Sequence, residues 1–161
     1  MPENVTSSAR SPETAAEWED YFDLRWRVLR APWDQPRGSE KDNREDDSEH
    51  LMIASPDSRP LAVGRLHFNT PAEAQVRFMA VDSQFQGRGL GSLILREFER
   101  RARAAGATSI VLNARDDAQR FYRKHGFVLV GPAETIFSAV KHVRMRKDLS
   151  QSQGRSSTVN A

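Results

Sequence analysis

The sequence contains no cysteine, which excludes disulfide bonds, thiolate catalysis and cysteine-ligated metals from the chemistry of this chain. It also has no apolar run near the roughly 18 residues that a membrane-spanning helix requires. The first residues, Met-Pro-Glu-Asn-Val, lack the basic start and the apolar stretch of a signal peptide. We therefore expect a cytoplasmic protein that has no membrane partner.

Neither sign of charge is in large excess. The 24 Lys and Arg residues stand against 22 Asp and Glu residues, which gives a net charge of +2. Proteins that bind DNA or RNA usually carry a larger basic excess on one face, so we expect no nucleic-acid partner. The 4 histidines show none of the spacings typical of metal ligands, so we also expect no metal.

The length of 161 residues suits a single domain. We expect this domain to occupy residues 1–149. A disordered tail is expected at 150–161, because that segment is too polar to bury an apolar face. Near the other end, Val5–Ala9 could form a short edge strand.

Apolar spacing and turn residues predict an α/β fold with a mixed, mostly antiparallel central sheet and flanking helices. Ser11 followed by Pro12 predicts the start of the first helix, and Asp116 is the expected cap of the last one. The predicted helices cover 11–29, 89–105 and 116–125. The predicted strands cover 50–54, 61–68, 74–81, 109–113, 127–130 and 140–145.

A long polar connection follows the first helix, from Ala31 to Asp47. Connections of this length without secondary structure of their own are often functional, so the segment could bind a substrate. Its acidic run, Glu45-Asp46-Asp47 with Glu49, instead favours a solvated loop.

The most informative segment is the glycine-rich bend Gln86-Gly-Arg-Gly-Leu-Gly-Ser92, which follows a predicted strand and begins a predicted helix. Its glycines have no side chain to keep a ligand away from the backbone. The first turn of a helix offers amide donors and partial positive charge, and Arg88 adds a full charge at the same place. The combination predicts an anion site that suits a pyrophosphate.

Two better-known phosphate motifs fit this bend poorly. A Walker A loop ends in Gly-Lys-Ser/Thr, whereas this segment ends in Gly89-Leu90-Gly91-Ser92 without a lysine. The dinucleotide motif requires a sixth-position glycine, and counting from Gly87 that position is Ser92. Neither an NTPase nor a dinucleotide-dependent enzyme is therefore expected.

Gln86–Gly91 resembles the Gln/Arg-x-x-Gly-x-Gly/Ala signature of the GNAT acyltransferases. Phe78–Val81 is similar to their central strand, Asn113–Phe127 is similar to their second cofactor segment, and the resemblance extends over about residues 50–149. The front segment Arg25–Arg30, with Asp47 and His50 downstream, resembles a subgroup sometimes fused to a thioesterase-like domain. Nothing in the 161 residues supplies that second domain.

The resemblance implies acetyl-coenzyme A, or another acyl-coenzyme A, as co-substrate and an amine of a small molecule or peptide as acceptor. In the family a bulge in the central strand separates it from the next parallel strand, and the pantetheine arm lies in that gap. Members of the family often form homodimers, and the sequence leaves the oligomeric state open. The implied cofactor-binding residues are Met79, Ala80, Val81, Gln86, Gly87, Arg88, Gly89, Leu90, Gly91, Ser92, Asn113 and Phe121.

The resemblance also implies a catalytic role for Tyr122, which occupies the place of the tyrosine that faces the departing thiolate. A buried core tyrosine is the alternative. The general base is open, because Gln75 stands near the position where some relatives carry a glutamate, and glutamine accepts no proton. Other candidates for the base are Glu73, Asp47, Glu49 and His50.

Three functions remain open at this point. The first is an N-acyltransferase in which the amine attacks the thioester directly. The second is a non-catalytic module that binds or senses acyl-coenzyme A. The third is a nucleic-acid partner for the arginine-rich helix, which the near-neutral charge disfavours.

Overall fold

The structure, a computed structural model, describes residues 8–149. The predicted tail at 150–161 and most of the predicted strand at Val5–Ala9 lie outside these residues. The helices are α1 (Ala15–Leu29), α2 (Leu90–Ala104) and α3 (Gln119–Lys124), with single 3-10 turns at Ala31–Trp33, Ser83–Phe85 and Asp116–Ala118. The strands are β1 (Glu49–Ala54), β2 (Pro60–Thr70), β3 (Glu73–Val81), β4 (Ser109–Arg115), β5 (Val128–Pro132) and β6 (His142–Asp148).

The six strands form one sheet in the order β1-β2-β3-β4-β6-β5. The β1–β2, β4–β6 and β5–β6 pairs are antiparallel, and the β3–β4 pair is parallel. The predicted α/β fold with a mixed, mostly antiparallel sheet is therefore confirmed. No helix within residues 8–149 has both the length and the apolar character needed to cross a membrane.

The chain forms two compact units. The first unit contains the residues up to 67 together with 77–98, and the second contains 68–76 together with the residues from 99 onward. The single domain expected for 1–149 stays a prediction.

In the first unit, α1 begins later than its sequence predicts. The Oγ1 atom of Thr14 accepts the amide of Glu17 at 3.1 Å and caps the helix, whereas the Oγ of the predicted cap, Ser11, donates to the His50 carbonyl at 2.9 Å. Ser11 therefore fastens the chain to β1, and Pro12 lies before the helix rather than in its first turn. Both Ser and Thr are good caps, and the tertiary hydrogen bond decides between them.

The core of the first unit includes the α1 residues Tyr21 and Leu24, both 0% exposed. Gly64 on β2 marks a close approach of elements. A Cβ atom at this position would lie 2.9 Å from Met79 Sδ and 3.0 Å from both Ile94 Cγ2 and Phe98 Cε2. Glycine is therefore required here by packing density rather than by backbone conformation.

In the second unit, the predicted helix at 116–125 is shorter and has a different start. Residues 116–118 form a 3-10 turn, α3 begins at Gln119, and neither element has a side-chain cap. The Oδ1 atom of Asp116 accepts the Gln119 side-chain amide at 2.9 Å instead of a main-chain amide. The predicted cap at Asp116 is thus wrong, because a neighbouring side chain takes its oxygen.

Candidate functional site

The glycine-rich bend connects β3 to α2 in the first unit. Asp82 begins the connection: its Oδ1 accepts the amide of Gln84 at 3.0 Å, and its carbonyl accepts the amide of Phe85 at 2.8 Å. This single 3-10 turn buries Phe85 at 9% exposure. The Gln86 Nε2 atom donates to the Val81 carbonyl at 3.3 Å, so the bend is fastened to the end of β3.

Gly87 and Gly89 both have left-handed backbones, with φ of +79° and +82°. Only glycine adopts this conformation at low cost, and no atom lies within 4 Å of a Cβ built at either position. The first turn of α2 closes when the Leu93 amide donates to the Gly89 carbonyl at 3.1 Å. The bend therefore presents open backbone at the positive end of a helix, which fits an anion such as the pyrophosphate of coenzyme A.

Two guanidinium groups lie beside this bend. The Cζ atom of Arg88 is 5.0 Å from the centroid of the Phe85 ring, and that of Arg59 is 5.8 Å from the same centroid. Arg88 follows from the motif, whereas Arg59 stands just before β2 and carries no local signal that connects it with the bend. The bend thus has one more positive charge beside it than the sequence indicates.

The strand before the bend carries an irregularity at Phe78. This residue lies inside β3 with φ of +55°, a conformation that is rare for a bulky side chain and that often marks a functional site. The parallel pairing of β3 runs from Glu73↔Ser109 to Val76↔Leu112, whereas β3 itself continues to Val81. Met79 and Val81 are half-buried and Ala80 is buried.

In the second unit, the predicted residues lie on β4 and α3. Asn113 is exposed on β4, opposite Arg144 on β6, and its Oδ1 lies 3.4 Å from the Arg144 Nη1 donor. Phe121 is half-buried on α3, with its ring centroid 5.0 Å from that of His125. His125 ends α3, as its place in the sequence predicts, and its main-chain amide donates to the Tyr122 and Arg123 carbonyls.

Tyr122 is buried between two aromatic rings. Its ring centroid lies 4.9 Å from that of Phe121 and 5.8 Å from that of Phe127. Burial raises the pKa of its phenol to about 12. Within residues 8–149 its hydroxyl makes no hydrogen bond, so its proton is not committed to a protein acceptor. A purely structural buried tyrosine usually has such a partner.

The candidates for a general base are largely engaged with other groups. Gln75 accepts from the Asn69 amide at 2.9 Å, and Asp47 lies 3.2 Å from an Arg44 donor. In the second unit, Glu73 lies 3.4 Å from Arg144 Nη2. Both carboxylates, Asp47 and Glu73, therefore have an arginine partner, and the Gln75 amide accepts no proton.

His50 is buried with both ring nitrogens occupied. Its Nε2 lies 2.8 Å from the Glu45 carbonyl, which can only accept, so Nε2 carries the proton. Its Nδ1 lies 2.8 Å from the hydroxyl of Tyr21. Burial is the main cause that lowers the pKa of His50, so the ring is neutral at pH 7. Neither nitrogen is open to a substrate proton.

A cluster of arginines surrounds the strained Phe78 in the first unit. The Cζ atoms of Arg25, Arg65 and Arg77 lie 4.3, 4.9 and 4.5 Å from the centroid of its ring. Arg25 and Arg65 are 0% exposed, which is exceptional for arginine, while the Arg77 side chain is 37% exposed. We refer to these three residues as the arginine cluster.

Two carboxylates from the 31–47 connection enter this cluster. The Oε2 atom of Glu45 accepts from the Nη1 atoms of Arg25 and Arg65, each at 3.0 Å. Asp42 accepts from Arg65 Nη1 at 2.5 Å and from Arg77 Nη1 at 2.9 Å. Burial acts to raise the pKa of Asp42, but the hydrogen bond from Arg65 and the surrounding charges lower it to about 2.

The acidic run at 45–49 is therefore not simply a solvated loop, as its composition suggests. Asp46 and Asp47 are exposed, but Glu45 turns inward and its side chain is only 14% exposed. The sequence does not reveal this network, because its members are separated along the chain and meet only after folding. The burial of each arginine also cannot be predicted from the spacing of its neighbours in the sequence.

Comparison with known proteins agrees with this geometry. The uncharacterized N-acetyltransferase YjcF of Bacillus subtilis is 28% identical over 130 residues, which cover 81% of this chain and 91% of that protein. An acyl-CoA N-acyltransferase from Pseudomonas aeruginosa superposes with a TM-score of 0.71 at 24% identity, covering 87% of this chain and 97% of its own. An aminoglycoside 6'-N-acetyltransferase complexed with coenzyme A gives a TM-score of 0.73 at 12% identity, covering 88% and 96%.

The sequence profile of the acetyltransferase (GNAT) family matches residues 18–127, a range that begins within α1 and includes the glycine-rich bend and α3. The match covers well over half of the chain, and the fold and the bend agree with it. The chain belongs to the GNAT family of acetyltransferases and is an acyl-CoA-dependent acyltransferase.

Proposed function

We propose that this enzyme transfers an acetyl or short acyl group from coenzyme A to the amine of a small molecule or peptide, by direct attack of the amine on the thioester. The observation that carries the proposal is the open, left-handed backbone at Gly87 and Gly89, placed at the start of α2. Gly38 and Gly106 also have open, left-handed backbones, but neither stands at the start of an α-helix, where free amides and partial positive charge suit a diphosphate.

Each part of coenzyme A is assigned to a segment of the chain. Residues 86–92 would hold the pyrophosphate through main-chain amides, with Arg88 as a charge partner. The main chain of Met79–Val81 would bind the pantetheine arm. Asn113 and Phe121, in the second unit, stay predicted cofactor-binding residues. When bound, coenzyme A supplies the activated acyl group, and the residues of the chain orient it and stabilise charge.

A homodimer stays a prediction, and light scattering would measure the oligomeric state.

Tyr122 would donate a hydrogen bond to the departing thiolate. Complete proton transfer is disfavoured, because a thiol of pKa about 8.5 is a much stronger acid than a phenol of pKa about 12. The difference of roughly 3.5 units corresponds to about 5 kcal/mol. A hydrogen bond to a charged acceptor contributes about 1.5–3 kcal/mol without that cost, so we assign hydrogen-bond donation rather than proton transfer to Tyr122.

The acceptor must lose its proton before it attacks. An amine of pKa about 8 requires only about 1 kcal/mol for this at pH 7, whereas a lysine-like amine requires about 5 kcal/mol. Since the base candidates Glu73, Asp47 and His50 have other partners, the proposal favours an amine of low pKa.

Two variants test the proposal. Gly89→Val places a branched side chain at φ +82°, and we expect calorimetry to show at least a tenfold loss of acetyl-coenzyme A affinity. Tyr122→Phe should lower kcat about 10- to 100-fold, the size of a charged hydrogen bond, while the acetyl-coenzyme A affinity changes less than threefold. Thiol release on mixing with a panel of amines gives kcat. Unchanged binding by Gly89→Val, or equal losses of kcat and affinity in Tyr122→Phe, would contradict the assignment.

A further inference from the structure

The arginine cluster contains more positive than negative charge. Within residues 8–149, two carboxylates, Asp42 and Glu45, pair with Arg25, Arg65 and Arg77. Two neighbouring charged groups, Arg30 and Glu40, cancel each other and leave this excess of positive charge unchanged. Arg30, with its Cζ 5.6 Å from the Phe78 centroid, adds one positive charge, and Glu40 adds one negative charge. His50 is neutral, so it contributes nothing to the balance.

The excess charge resides at the exposed end of the cluster. The two buried arginines share Glu45, and Arg65 also takes one oxygen of Asp42. Arg77 is left with the other oxygen of Asp42. Its Nη1–Asp42 contact is the only hydrogen bond of its guanidinium within residues 8–149, and the side chain is 37% exposed, so its remaining donors are available to a ligand.

The two buried arginines of the cluster also have hydrogen-bond donors without a partner. The Nε atoms of Arg25 and Arg65 are fully buried and have no hydrogen-bond partner among residues 8–149. One buried acceptor, Glu45 Oε1, also lacks a partner, but it lies 4.0 Å from His50 Nε2 and is turned toward that ring. Unpaired buried donors are costly, and a cluster arranged to stabilise only the fold would be expected to pair them.

The backbone at this point is also strained. Successive residues of a regular strand project from opposite faces, yet the Arg77 guanidinium stacks on the ring of its neighbour Phe78 at 4.5 Å. The left-handed φ of Phe78 interrupts the strand immediately after Arg77. Strain that costs about 1–3 kcal/mol persists where the surroundings enforce it, commonly at binding sites.

We propose that Arg77, supported by the buried Arg25 and Arg65, binds an anionic group, a carboxylate or a phosphate, carried by the amine acceptor. A guanidinium with several open donors can hold either group through two parallel hydrogen bonds. Burial lowers the pKa of Arg77, and the charges of Arg65 and Arg25 lower it further against the opposing effect of Asp42. A bound anion would relieve that repulsion. Arg25 and Arg65 are positioning residues, because they act through Phe78 and the two carboxylates.

The inference rests on the proposed function in one respect, because it calls the bound ligand the acceptor. Binding of the anion itself can be tested by equilibrium measurements without turnover. Two matched pairs of probes separate the two anionic groups: O-phosphoethanolamine against ethanolamine, and glycine against glycinamide. Their affinities are measured by calorimetry or NMR titration on the full chain saturated with coenzyme A. We expect at least one anionic probe to bind tenfold or more tightly than its neutral partner, and the pair that responds identifies phosphate or carboxylate.

Variants then assign this preference to Arg77. Arg77→Gln should reduce it below twofold, and Arg77→Lys should keep part of it, because the charge remains while the planar pair of donors is lost. Arg37→Gln is the matched control: it removes one charge from an arginine that is 63% exposed and pairs with Asp23, and it should leave the preference unchanged. Urea unfolding verifies that each variant is folded.

The outcomes are distinct. No preference in the wild-type chain, absence of binding by all four probes, or a preference that persists in Arg77→Gln would overturn the inference. Thiol release from acetyl-coenzyme A, measured in parallel with the same amines, reports on the proposed function. Turnover of neutral amines without an anion preference would leave the acyltransfer assignment intact and reject the role of Arg77.

Discussion

Replacing Glu45 by glutamine tests how the arginine cluster is stabilised. The substitution retains size and one carbonyl acceptor but removes the charge that Arg25 and Arg65 share at 3.0 Å each. Breaking a buried ion pair by neutralising one partner costs about 3–5 kcal/mol, because the remaining charge stays buried. Asp42 still pairs with Arg65, whereas Arg25 loses the one carboxylate that it contacts within residues 8–149. We therefore expect the lower end, about 3 kcal/mol.

Equilibrium urea unfolding followed by tryptophan fluorescence measures this loss. Trp18, Trp26 and Trp33 all lie in or directly after α1, so the signal reports on the first unit. With a slope of roughly 2 kcal/mol/M, a loss of 3 kcal/mol moves the midpoint by about 1.5 M. The adjacent, exposed Asp46→Asn is the control and should change the free energy of unfolding by less than about 0.5 kcal/mol.

The cause of the loss can be tested separately from its size. If the uncompensated charge of Arg25 is responsible, then adding Arg25→Met to Glu45→Gln should cost less than the sum of the two single losses. A loss below about 1 kcal/mol for Glu45→Gln at unchanged slope, or strictly additive losses in the double variant, would refute the reasoning. The first result would mean that Glu45 contributes no more than a surface ion pair.

Two further predictions concern packing and pH. Gly64→Ala should lower the free energy of unfolding by about 1–3 kcal/mol, because its Cβ would lie within 3.0 Å of Met79 Sδ, whereas Gly131→Ala meets no atom within 4 Å and should be nearly neutral in the same urea assay. The contribution of Asp42, whose folded pKa of about 2 lies below its unfolded value near 4, is complete above pH 4 and is lost as the pH falls toward 2. Asp42→Asn should therefore flatten the acid side of the stability profile between pH 4 and 2, and an unchanged slope there would contradict the lowered pKa.

Much of the fold follows from local sequence signals. The strands at 50–54, 61–68 and 74–81 and the helix at 89–105 lie within one or two residues of β1, β2, β3 and α2, because alternation and helical spacing act over short range. The wrong predictions concern where two of the helices begin. Ser11 and Asp116 are good caps by residue type, yet each bonds elsewhere, and the choice depends on tertiary partners that spacing does not encode.

The candidate site likewise has one part that the sequence predicts and one part that it does not. The bend at 86–92 could be predicted, since its glycines and its helix are contiguous in sequence. The arginine cluster could not, because Arg25, Arg65 and Arg77 come from α1, β2 and β3 and pair with carboxylates of a loop. The left-handed Phe78 has no sequence signal at all, as phenylalanine is an ordinary residue for a strand.

The excess positive charge and the engagement of the base candidates Glu73, Asp47 and His50 with other groups are connected through the pKa of the acceptor. In a free amino acid, the carboxylate stabilises the ammonium ion and keeps the amine protonated at pH 7. Pairing that carboxylate with Arg77 cancels its field, so the bound amine approaches the pKa of about 8 of an isolated α-amine, and its deprotonation costs only about 1 kcal/mol. The same arginine that recognises the anion would therefore reduce the need for a base. This predicts that Arg77→Gln shifts the rise of kcat to higher pH for anionic acceptors and leaves the profile of neutral amines unchanged.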